Sequence, residues 1–455
     1  KEPLRGVNGS ETMRDKRMFL AAWIRRRTLG FLVLLSFFLS SSAAAEPILS
    51  AEMEYLCGWV ALASYSDRVG DVAREELAAN DFVMLPFREE DKRTTASYYL
   101  LRREEPTGPM YLLSVTGTKD WKDIKLDLSL HKVPFAGHTP EEFRQAAARK
   151  EATSAEPLVH SGFNAYAQTA FFTPKEGMPT IGEQLRDVLL ADSKARLCLT
   201  GHSLGGAVAV LLAGRLADMG VPPEQLSVIT FGAPAVGNKA FAKKYETMAV
   251  RRVVMAGDPV GAAVQVVDSD YVQFGEVTRL TTMRKQHRFS HAMVSYVDAL
   301  LRRNFEDVSE AAGRGEGDAG AFPQVYLAAE FSLPENFTAD IPVWRRATAS
   351  LTARQLPGVV AGEAATLTEA QEKARTMGCT YILWQSYEMK RERERQDAYQ
   401  VILQEGLFDI EGHLLSGQGF TTGTASMTPL LAALYNTAAG RPGLEAAFGA
   451  ANAER

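Results

Sequence analysis

The order of apolar and polar positions along the chain predicts short strands that alternate with helices. Apolar residues recur at near-helical spacing over residues 52–77, 140–150, 181–190, 207–216 and 292–301, which predicts helices there. Short apolar runs between polar turns predict strands at 82–87, 97–102, 111–118, 197–200, 227–231 and 251–255. Because strands and helices that alternate in this way build a mostly parallel sheet with helices on both faces, the pattern predicts an α/β fold for residues 46–305.

A change in composition after position 305 predicts a second, smaller domain. Residues 306–322 are rich in Glu, Asp, Ala and Gly, which is typical of a flexible linker. Further on, apolar runs predict strands at 324–331, 380–387, 398–408 and 413–418, and periodic segments predict helices at 342–356, 366–377 and 427–437. We therefore expect an accessory α/β (α+β) domain at 323–455. It carries no catalytic constellation, so we expect it to contact a partner that the sequence does not identify.

The first 45 residues have the pattern of a secretory signal peptide. Arginines at 25–27 precede an apolar run at 29–39, and Ala43-Ala44-Ala45 provides small residues for cleavage. The apolar run is too short for a stable membrane-spanning helix. We predict cleavage near Ala45 and a secreted, periplasmic or cell-envelope location, with an uncleaved N-terminal anchor as the alternative.

Charge and cysteine content narrow the possible functions. Residues 1–45 hold eight Lys and Arg against three Asp and Glu, so the net charge of −5 for the whole chain leaves about −10 for the remainder. An acidic body of this kind lacks the basic surface that attracts nucleic acids or anionic membranes. The three cysteines form no disulfide framework in so long a chain. No spacing of His, Cys or carboxylates indicates zinc or calcium, and we predict no metal and no cofactor.

The segment Leu197-Cys-Leu-Thr-Gly-His-Ser-Leu-Gly-Gly206 predicts a nucleophile elbow. A buried strand leads into a Gly-x-Ser-x-Gly turn, and a helix of small residues follows. This order exposes a serine hydroxyl at a sharp turn, beside the N-terminal N–H groups of the helix. Gly201 and Gly205 allow the strand and the helix to cross closely. Ser203 is therefore the predicted nucleophile.

A serine nucleophile needs a base, and the base needs an orienting carboxylate. In α/β hydrolases the acid and then the histidine follow the serine along the chain. Asp258 ends a predicted strand, whereas Asp268 and Asp270 lie in a polar turn where solvation accounts for them. His291 begins an apolar-periodic helix, whereas His287 lies among basic residues that disfavour an imidazolium. We predict Asp258 and His291, with the other three residues as alternatives.

Two further histidines occur in motifs near the predicted site. His202 precedes the nucleophile, and we expect its side chain to point away from Ser203 and to pack. His160 either lines the floor of the site or makes a hydrogen bond in the core.

Five motifs in order along residues 52–303 resemble the class 3 (fungal-type) lipase family of α/β hydrolases. They are Gly117-Thr118 with Trp121, Val159-His-Ser-Gly-Phe163, Gly201-His-Ser-Leu-Gly-Gly206, Phe231-Gly-Ala-Pro-Ala-Val-Gly-Asn238, and Asp258-Pro-Val260 with His291 and Tyr296. The resemblance implies an α/β-hydrolase fold and marks Gly117-Thr118 as the oxyanion loop. The chain departs from the family at Thr116, where arginine is frequent, and at Met255-Ala-Gly257, where asparagine is frequent.

The developing oxyanion of an ester hydrolase needs at least two aligned donors. The backbone N–H of Leu204 is one, and Thr118 is expected to supply the second. The segment 131–157, with one amphipathic helix between the oxyanion loop and His160, is either a lid over the cleft or an ordinary surface insertion.

These features together predict a serine esterase or lipase that acts on acylglycerol or phospholipid esters. We expect transient contact with lipid aggregates and no contact with nucleic acid. The alternative is an envelope binding protein that acts through its C-terminal domain.

Overall fold

Helices and strands alternate along most of the chain, as the sequence pattern predicts. The computed structural model describes residues 49–65, 68–78, 80–84, 98–117, 131–174, 178–281, 290–306, 324–356, 358–393, 395 and 398–453. The helices are α1 (Ala51–Ala63), α2 (Arg68–Ala78), α3 (Pro140–Ala147), α4 (Ser161–Phe171), α5 (Ile181–Ala191), α6 (Leu204–Asp218), α7 (Lys239–Lys244), α8 (Val260–Val267), α9 (Met293–Glu306), α10 (Ile341–Gln355), α11 (Leu367–Thr376) and α12 (Pro429–Ala453).

The strands are short, and several consist of only two or three residues. They are β1 (Val83–Met84), β2 (Tyr98–Glu105), β3 (Gly108–Val115), β4 (Lys132–Pro134), β5 (Leu158–His160), β6 (Arg196–His202), β7 (Leu226–Phe231), β8 (Gly237–Asn238), β9 (Ala249–Met255), β10 (Tyr271–Val272), β11 (Glu276–Leu280), β12 (Val325–Ser332), β13 (Val359–Gly362), β14 (Tyr381–Arg391), β15 (Tyr399–Asp409) and β16 (Leu414–Gly423).

The central sheet has seven strands in the order β1-β2-β3-β6-β7-β9-β11. Within this sheet, neighbouring strands pair in parallel along β3, β6, β7, β9 and β11. Strand β2 pairs antiparallel with both β1 and β3. This topology confirms the predicted α/β fold with a mostly parallel sheet. The carboxyl ends of the parallel strands meet at one edge, which is where such sheets place their sites.

Two apolar helices cover opposite faces of this sheet. Cys198 of β6 packs in the cluster that contains α1, whereas Leu197 and Leu199 pack in the cluster that contains α6. Successive side chains of a strand point to opposite faces, so the two clusters lie on the two sides of the sheet. Both helices are apolar on nearly every side, as expected for helices inside a core.

The predicted single helix over 52–77 is wrong, because the chain forms two helices there. Helix α1 ends at Ala63, and the hydroxyl of Ser64 donates a hydrogen bond of 2.7 Å to the carbonyl oxygen of Ala61. Serine side chains compete with the helical backbone for hydrogen bonds and favour helix ends. Tyr65 therefore lies outside the helix, and its backbone does not have to follow helical geometry.

A second, four-stranded sheet was not predicted. Its strands are antiparallel in the order β10-β8-β5-β4. Each has only two or three residues, too few to show an alternating pattern in the sequence.

The C-terminal region contains a five-stranded sheet in the order β13-β12-β14-β15-β16. Strand β12 pairs in parallel with β13 and β14, and β14, β15 and β16 pair antiparallel. The strands and helices predicted for this region are present, β13 is an addition, and α12 continues well beyond the predicted end at 437.

Buried side chains connect the two predicted domains. Helix α9 packs against α10, α2 packs against α12, and one apolar cluster runs from Trp59 and Leu300 to Trp344 and Leu430. Residues 307–323, which include most of the predicted linker, lie outside the described residues, as do the signal-peptide residues 1–45. The predicted boundaries at 306–322 and near 45 stay predictions. In the described ranges, no helix has both the length and the apolar character needed to cross a bilayer.

Candidate active site

Ser203 lies at a strained turn between β6 and α6. Its backbone has φ 57° and ψ −125°, and apart from Asp81 it is the one non-glycine residue in the described ranges with positive φ. Such a conformation is unfavourable for a residue with a Cβ atom and persists only where the surrounding structure enforces it. The N–H of Ser203 donates a hydrogen bond of 2.9 Å to the carbonyl oxygen of Phe231 at the end of β7, which helps to hold the turn.

The glycines on either side of Ser203 are required by close backbone contacts. A Cβ atom on Gly201 would lie 2.5 Å from the carbonyl carbon of Gly205, and one on Gly205 would lie 2.1 Å from the carbonyl oxygen of Val115. Both distances are too short for a side chain. The predicted close crossing of strand and helix is therefore present at the elbow.

Asp258 and His291 form a hydrogen-bonded pair. The Nδ1 atom of His291 lies 2.9 Å from Oδ2 and 3.1 Å from Oδ1 of Asp258. Asp258 follows β9, and His291 lies just before α9. The hydroxyl of Ser290 also donates a hydrogen bond of 2.6 Å to the carbonyl oxygen of Gly257, so the two loops are tied together.

Further donors keep Asp258 ionised. Burial alone would raise the pKa of this carboxyl, but the hydrogen bond and charge of His291 and the hydroxyl of Tyr296 outweigh it. The N–H of Val260 adds a hydrogen bond of 2.9 Å to Oδ1. The pKa of Asp258 therefore lies below its ordinary value, as an orienting carboxylate requires.

Gly232 makes room for this pair, and the sequence analysis did not single it out. Its φ is +56°, and a Cβ atom there would lie 2.6 Å from Oδ2 of Asp258, 2.8 Å from the hydroxyl of Tyr296 and 3.1 Å from Nδ1 of His291. The sequence signal that could have identified Gly232 is its position directly after the buried strand β7.

The elbow and the Asp258–His291 pair lie at the same end of the sheet. Ser203 follows β6, Gly232 follows β7 and Asp258 follows β9, which are neighbouring parallel strands. Ser203 is 1% exposed, and its hydroxyl makes no hydrogen bond with any described residue. The hydrogen bond from serine to histidine is thus not formed here, as is common before substrate binds.

The predicted oxyanion donors are only partly described. Leu204 is the first residue of α6, so its N–H has no acceptor within the helix. Thr118 lies outside the described residues, and its role stays a prediction. The neighbouring Gly117 is described: a Cβ atom there would lie 2.5 Å from the carbonyl oxygen of His202, so this loop closely approaches the elbow.

The alternative acids have another partner. The Nζ atom of Lys132 lies 2.8 Å from Oδ2 of Asp268 and 2.7 Å from Oδ2 of Asp270. These ion pairs account for the presence of both carboxylates in this turn, where solvation by water was expected instead. The alternative base, His287, lies outside the described residues. Within the described ranges, no three His, Cys, Asp or Glu side chains come together as a metal site.

The segment 131–157 packs on α6. Phe143 of α3 is fully buried, and the guanidinium carbon of Arg215 lies 3.5 Å from the ring centre of Phe135 and 4.1 Å from that of Phe143. The Nη1 atom of Arg215 donates a hydrogen bond of 3.0 Å to the carbonyl oxygen of Ala136. A lid movement of this segment would have to break these contacts, and its role as a lid stays a prediction.

Comparison with known proteins finds a family model that matches part of this chain. Residues 112–267 match the model of the family described as Lipase (class 3). A lipase of Rhizopus niveus is 36% identical over 95 residues, which make up 20% of this chain and 22% of that protein. The protein named Phospholipase A1-Igamma2, chloroplastic, of Arabidopsis thaliana is 39% identical over 77 residues, 15% of each chain.

Solved structures of lipases are similar to part of this chain. The lipase from Rhizopus microsporus var. chinensis matches with 20% identity and a TM-score of 0.39, over 55% of this chain and 85% of that one. The chain spans about a fifth or less of the length of the two curated relatives it matches. The family match includes Ser203 and Asp258 and ends before His291.

Proposed function

We propose that this protein hydrolyses carboxylic ester bonds of lipids through Ser203, Asp258 and His291, because residues 112–267 match the family model described as Lipase (class 3). The observation that carries the proposal is the position of the hydrogen-bonded Asp258–His291 pair. It lies at the same sheet edge as a serine held at positive φ.

The reaction follows from the chemistry of these groups. The Oγ atom of Ser203 attacks the carbonyl carbon of the ester, and Nε2 of His291 takes the hydroxyl proton. The negative charge moves to the former carbonyl oxygen, where the N–H groups of Leu204 and Thr118 stabilise it. The intermediate then collapses, and the departing alcohol receives the proton from His291.

Water completes the cycle. His291 removes a proton from a water molecule, which attacks the acyl-serine, and the fatty acid leaves as Ser203 recovers its proton. Asp258 remains ionised throughout and holds the imidazole with Nε2 towards the serine. The Ser203 hydroxyl must rotate or move to make its hydrogen bond to His291 when substrate enters.

The substrate proposed is the acyl ester of a glycerol lipid or a glycerophospholipid. We also propose export, with residues 1–45 as a cleaved signal peptide. Sequencing the N-terminus of the exported protein tests this, because export predicts a start near Glu46, whereas an anchor leaves residues 1–45 attached.

Labelling with a fluorophosphonate probe tests the activity. The unmodified protein should react at one site, and Ser203→Ala should abolish both labelling and ester hydrolysis. Ser227→Ala is the matched control, because Ser227 is equally buried in β7 but lies outside the proposed site. Hydrolysis of esters of increasing acyl length, and of phosphatidylcholine, then identifies the preferred lipid.

The same probe decides between this proposal and the binding-protein alternative. A folded protein that neither reacts with the probe nor hydrolyses any ester would overturn the proposal and favour a function carried by the C-terminal region.

A further inference from the structure

A chain of hydrogen bonds connects Tyr65, His202 and the backbone of His291. The hydroxyl of Tyr65 lies 2.7 Å from Nδ1 of His202, and Nε2 of His202 lies 2.6 Å from the carbonyl oxygen of His291. The two imidazole rings are 4.5 Å apart between centres. His202 is 6% exposed, so its imidazole ring is shielded from water.

The chemistry of the groups fixes the direction of each hydrogen bond. A carbonyl oxygen only accepts, so Nε2 of His202 carries a hydrogen and donates it to His291. Burial, followed by the neighbouring His291, lowers the pKa of His202 to about 3, and the ring is therefore neutral at ordinary pH. A neutral imidazole has one N–H group, so Nδ1 accepts a hydrogen bond from the hydroxyl of Tyr65.

This chain reaches three of the segments that form the proposed site. His202 is joined to the nucleophile Ser203 by a peptide bond and to the His291 loop by a hydrogen bond. The hydroxyl of Tyr65 lies 3.3 Å from the position that a Cβ atom on Gly117 would occupy, next to the predicted oxyanion loop. Tyr65 reaches this position because α1 ends at Ala63.

The backbone at His291 needs such support. It precedes α9 and belongs to no helix or strand. Its side chain is held by Asp258, and the loop is held by Ser290. The hydrogen bond from His202 to the carbonyl oxygen of His291 adds a third contact, which holds the main chain. Together these contacts determine where the imidazole lies relative to the serine.

We propose that His202 and Tyr65 are positioning residues that hold the backbone of the catalytic His291 in register with Ser203. This rests on the proposed function. Neither residue exchanges a proton with substrate. A displacement of about 1 Å between a base and its nucleophile lowers turnover by about a hundredfold. The neutral imidazole of His202, which makes two hydrogen bonds, therefore affects the rate because it fixes the position of His291.

Two substitutions of His202 separate its two hydrogen bonds. His202→Asn places an oxygen near the position of Nδ1, which keeps the acceptor for Tyr65 and removes the donor to His291. His202→Gln places an amide N–H near the position of Nε2, which keeps the donor to His291. We expect kcat to fall by about ten- to a hundredfold in His202→Asn and by less than about tenfold in His202→Gln, with KM unchanged in both.

Tyr65→Phe tests the other end of the chain and retains the aromatic ring if the His202 variants fail to fold. We expect kcat to fall by about three- to tenfold, with KM and the thermal midpoint little changed. Combined with His202→Asn, the same substitution should add almost nothing, because the chain is already broken. Tyr245→Phe is the matched control: it removes the hydroxyl that bonds Asp218, outside the proposed site, and should leave kcat unchanged.

The outcomes distinguish this inference from the proposed function. A protein that does not react with the fluorophosphonate probe overturns the proposed function and the positioning role with it. A reactive protein in which His202→Asn or Tyr65→Phe retains the original kcat overturns the positioning role alone. Equal losses of kcat in His202→Asn and His202→Gln also overturn it, because the donor to His291 would then have no influence.

Discussion

The hydroxyl group of Tyr296 lies 2.5 Å from Oδ2 of Asp258 and donates a hydrogen bond to it. This oxygen is also the one nearest to Nδ1 of His291, at 2.9 Å. Burial raises the pKa of Tyr296, which keeps its hydroxyl protonated and able to donate. Tyr296 and His291 thus share one carboxylate oxygen, and the tyrosine moderates the negative charge that the histidine experiences.

Replacing this tyrosine should shift the pH dependence of the reaction. In Tyr296→Phe the carboxylate loses a donor, so the pKa of Asp258 rises. This rise moves the acidic limb of the kcat/KM profile to higher pH, and activity at neutral pH should fall by about tenfold. A profile that keeps its acidic limb in place would contradict this account.

Adding a methyl group at position 232 should disable the site. In Gly232→Ala the new Cβ atom would meet Oδ2 of Asp258 at 2.6 Å and the hydroxyl of Tyr296 at 2.8 Å, so the acid and base must move apart. We expect kcat to fall by at least about a hundredfold. The control is Gly220→Ala, where φ is also positive but nothing lies within 4 Å of the added atom. It should cost about 1 kcal/mol of unfolding free energy and leave kcat unchanged.

Two glutamates that bind the same arginine should differ in their contribution to stability. Arg251 contacts Glu54, which is 1% exposed, and Glu276, whose side chain is 69% exposed. Glu54 also accepts hydrogen bonds from Thr278 and Arg303. Glu54→Gln should lower the unfolding free energy by about 3 kcal/mol, because the partly buried Arg251 and Arg303 lose their charged partner. Glu276→Gln should change it by less than about 1 kcal/mol in the same urea titration.

The buried His160 should make the fold sensitive to acid. Burial lowers its pKa to about 4, whereas the unfolded chain has an ordinary histidine pKa of about 6.5. Between these values the unfolded state binds more protons, so the unfolding free energy falls as pH falls from 6.5 to 4, by up to about 3 kcal/mol.

His160→Asn should flatten this slope. An asparagine oxygen near the position of Nδ1 can still accept the N–H of Gly162, which caps α4, but it does not titrate. Urea unfolding at a series of pH values measures the effect, and the exposed His131→Asn should leave the slope as it is. An unchanged slope in His160→Asn would show that another group controls the acid response.

The residues of the proposed site that the sequence predicts are those that a local pattern defines. Ser203 lies in a turn whose neighbours are recognisable within ten residues, and Asp258 ends an apolar run. The order of acid and histidine along the chain then selected His291. Tyr65 and Gly232 were not selected, because their roles depend on contacts between segments far apart in the sequence.

Two other structural differences concern the residues at which helices end. Apolar periodicity continues through residues 52–77, so the helix break at Ser64 was not visible in the spacing. At the other end of the chain, Gly440 and Pro442 are ordinary signals for the end of a helix, yet α12 continues to Ala453. The hydroxyl of Ser64 ends α1 locally, whereas α12 packs along β15 and β16, a long-range contact that a single-sequence pattern does not contain.

The apolar cluster that runs from α1 and α9 into α10 and α12 restricts how this protein can be engineered. A shortened gene that stopped after codon 306 would leave Leu300 and Trp59 without the neighbours that cover them, and the product would tend to aggregate. Variants built on this scaffold should therefore retain the C-terminal sheet, even if the proposed catalysis never involves it.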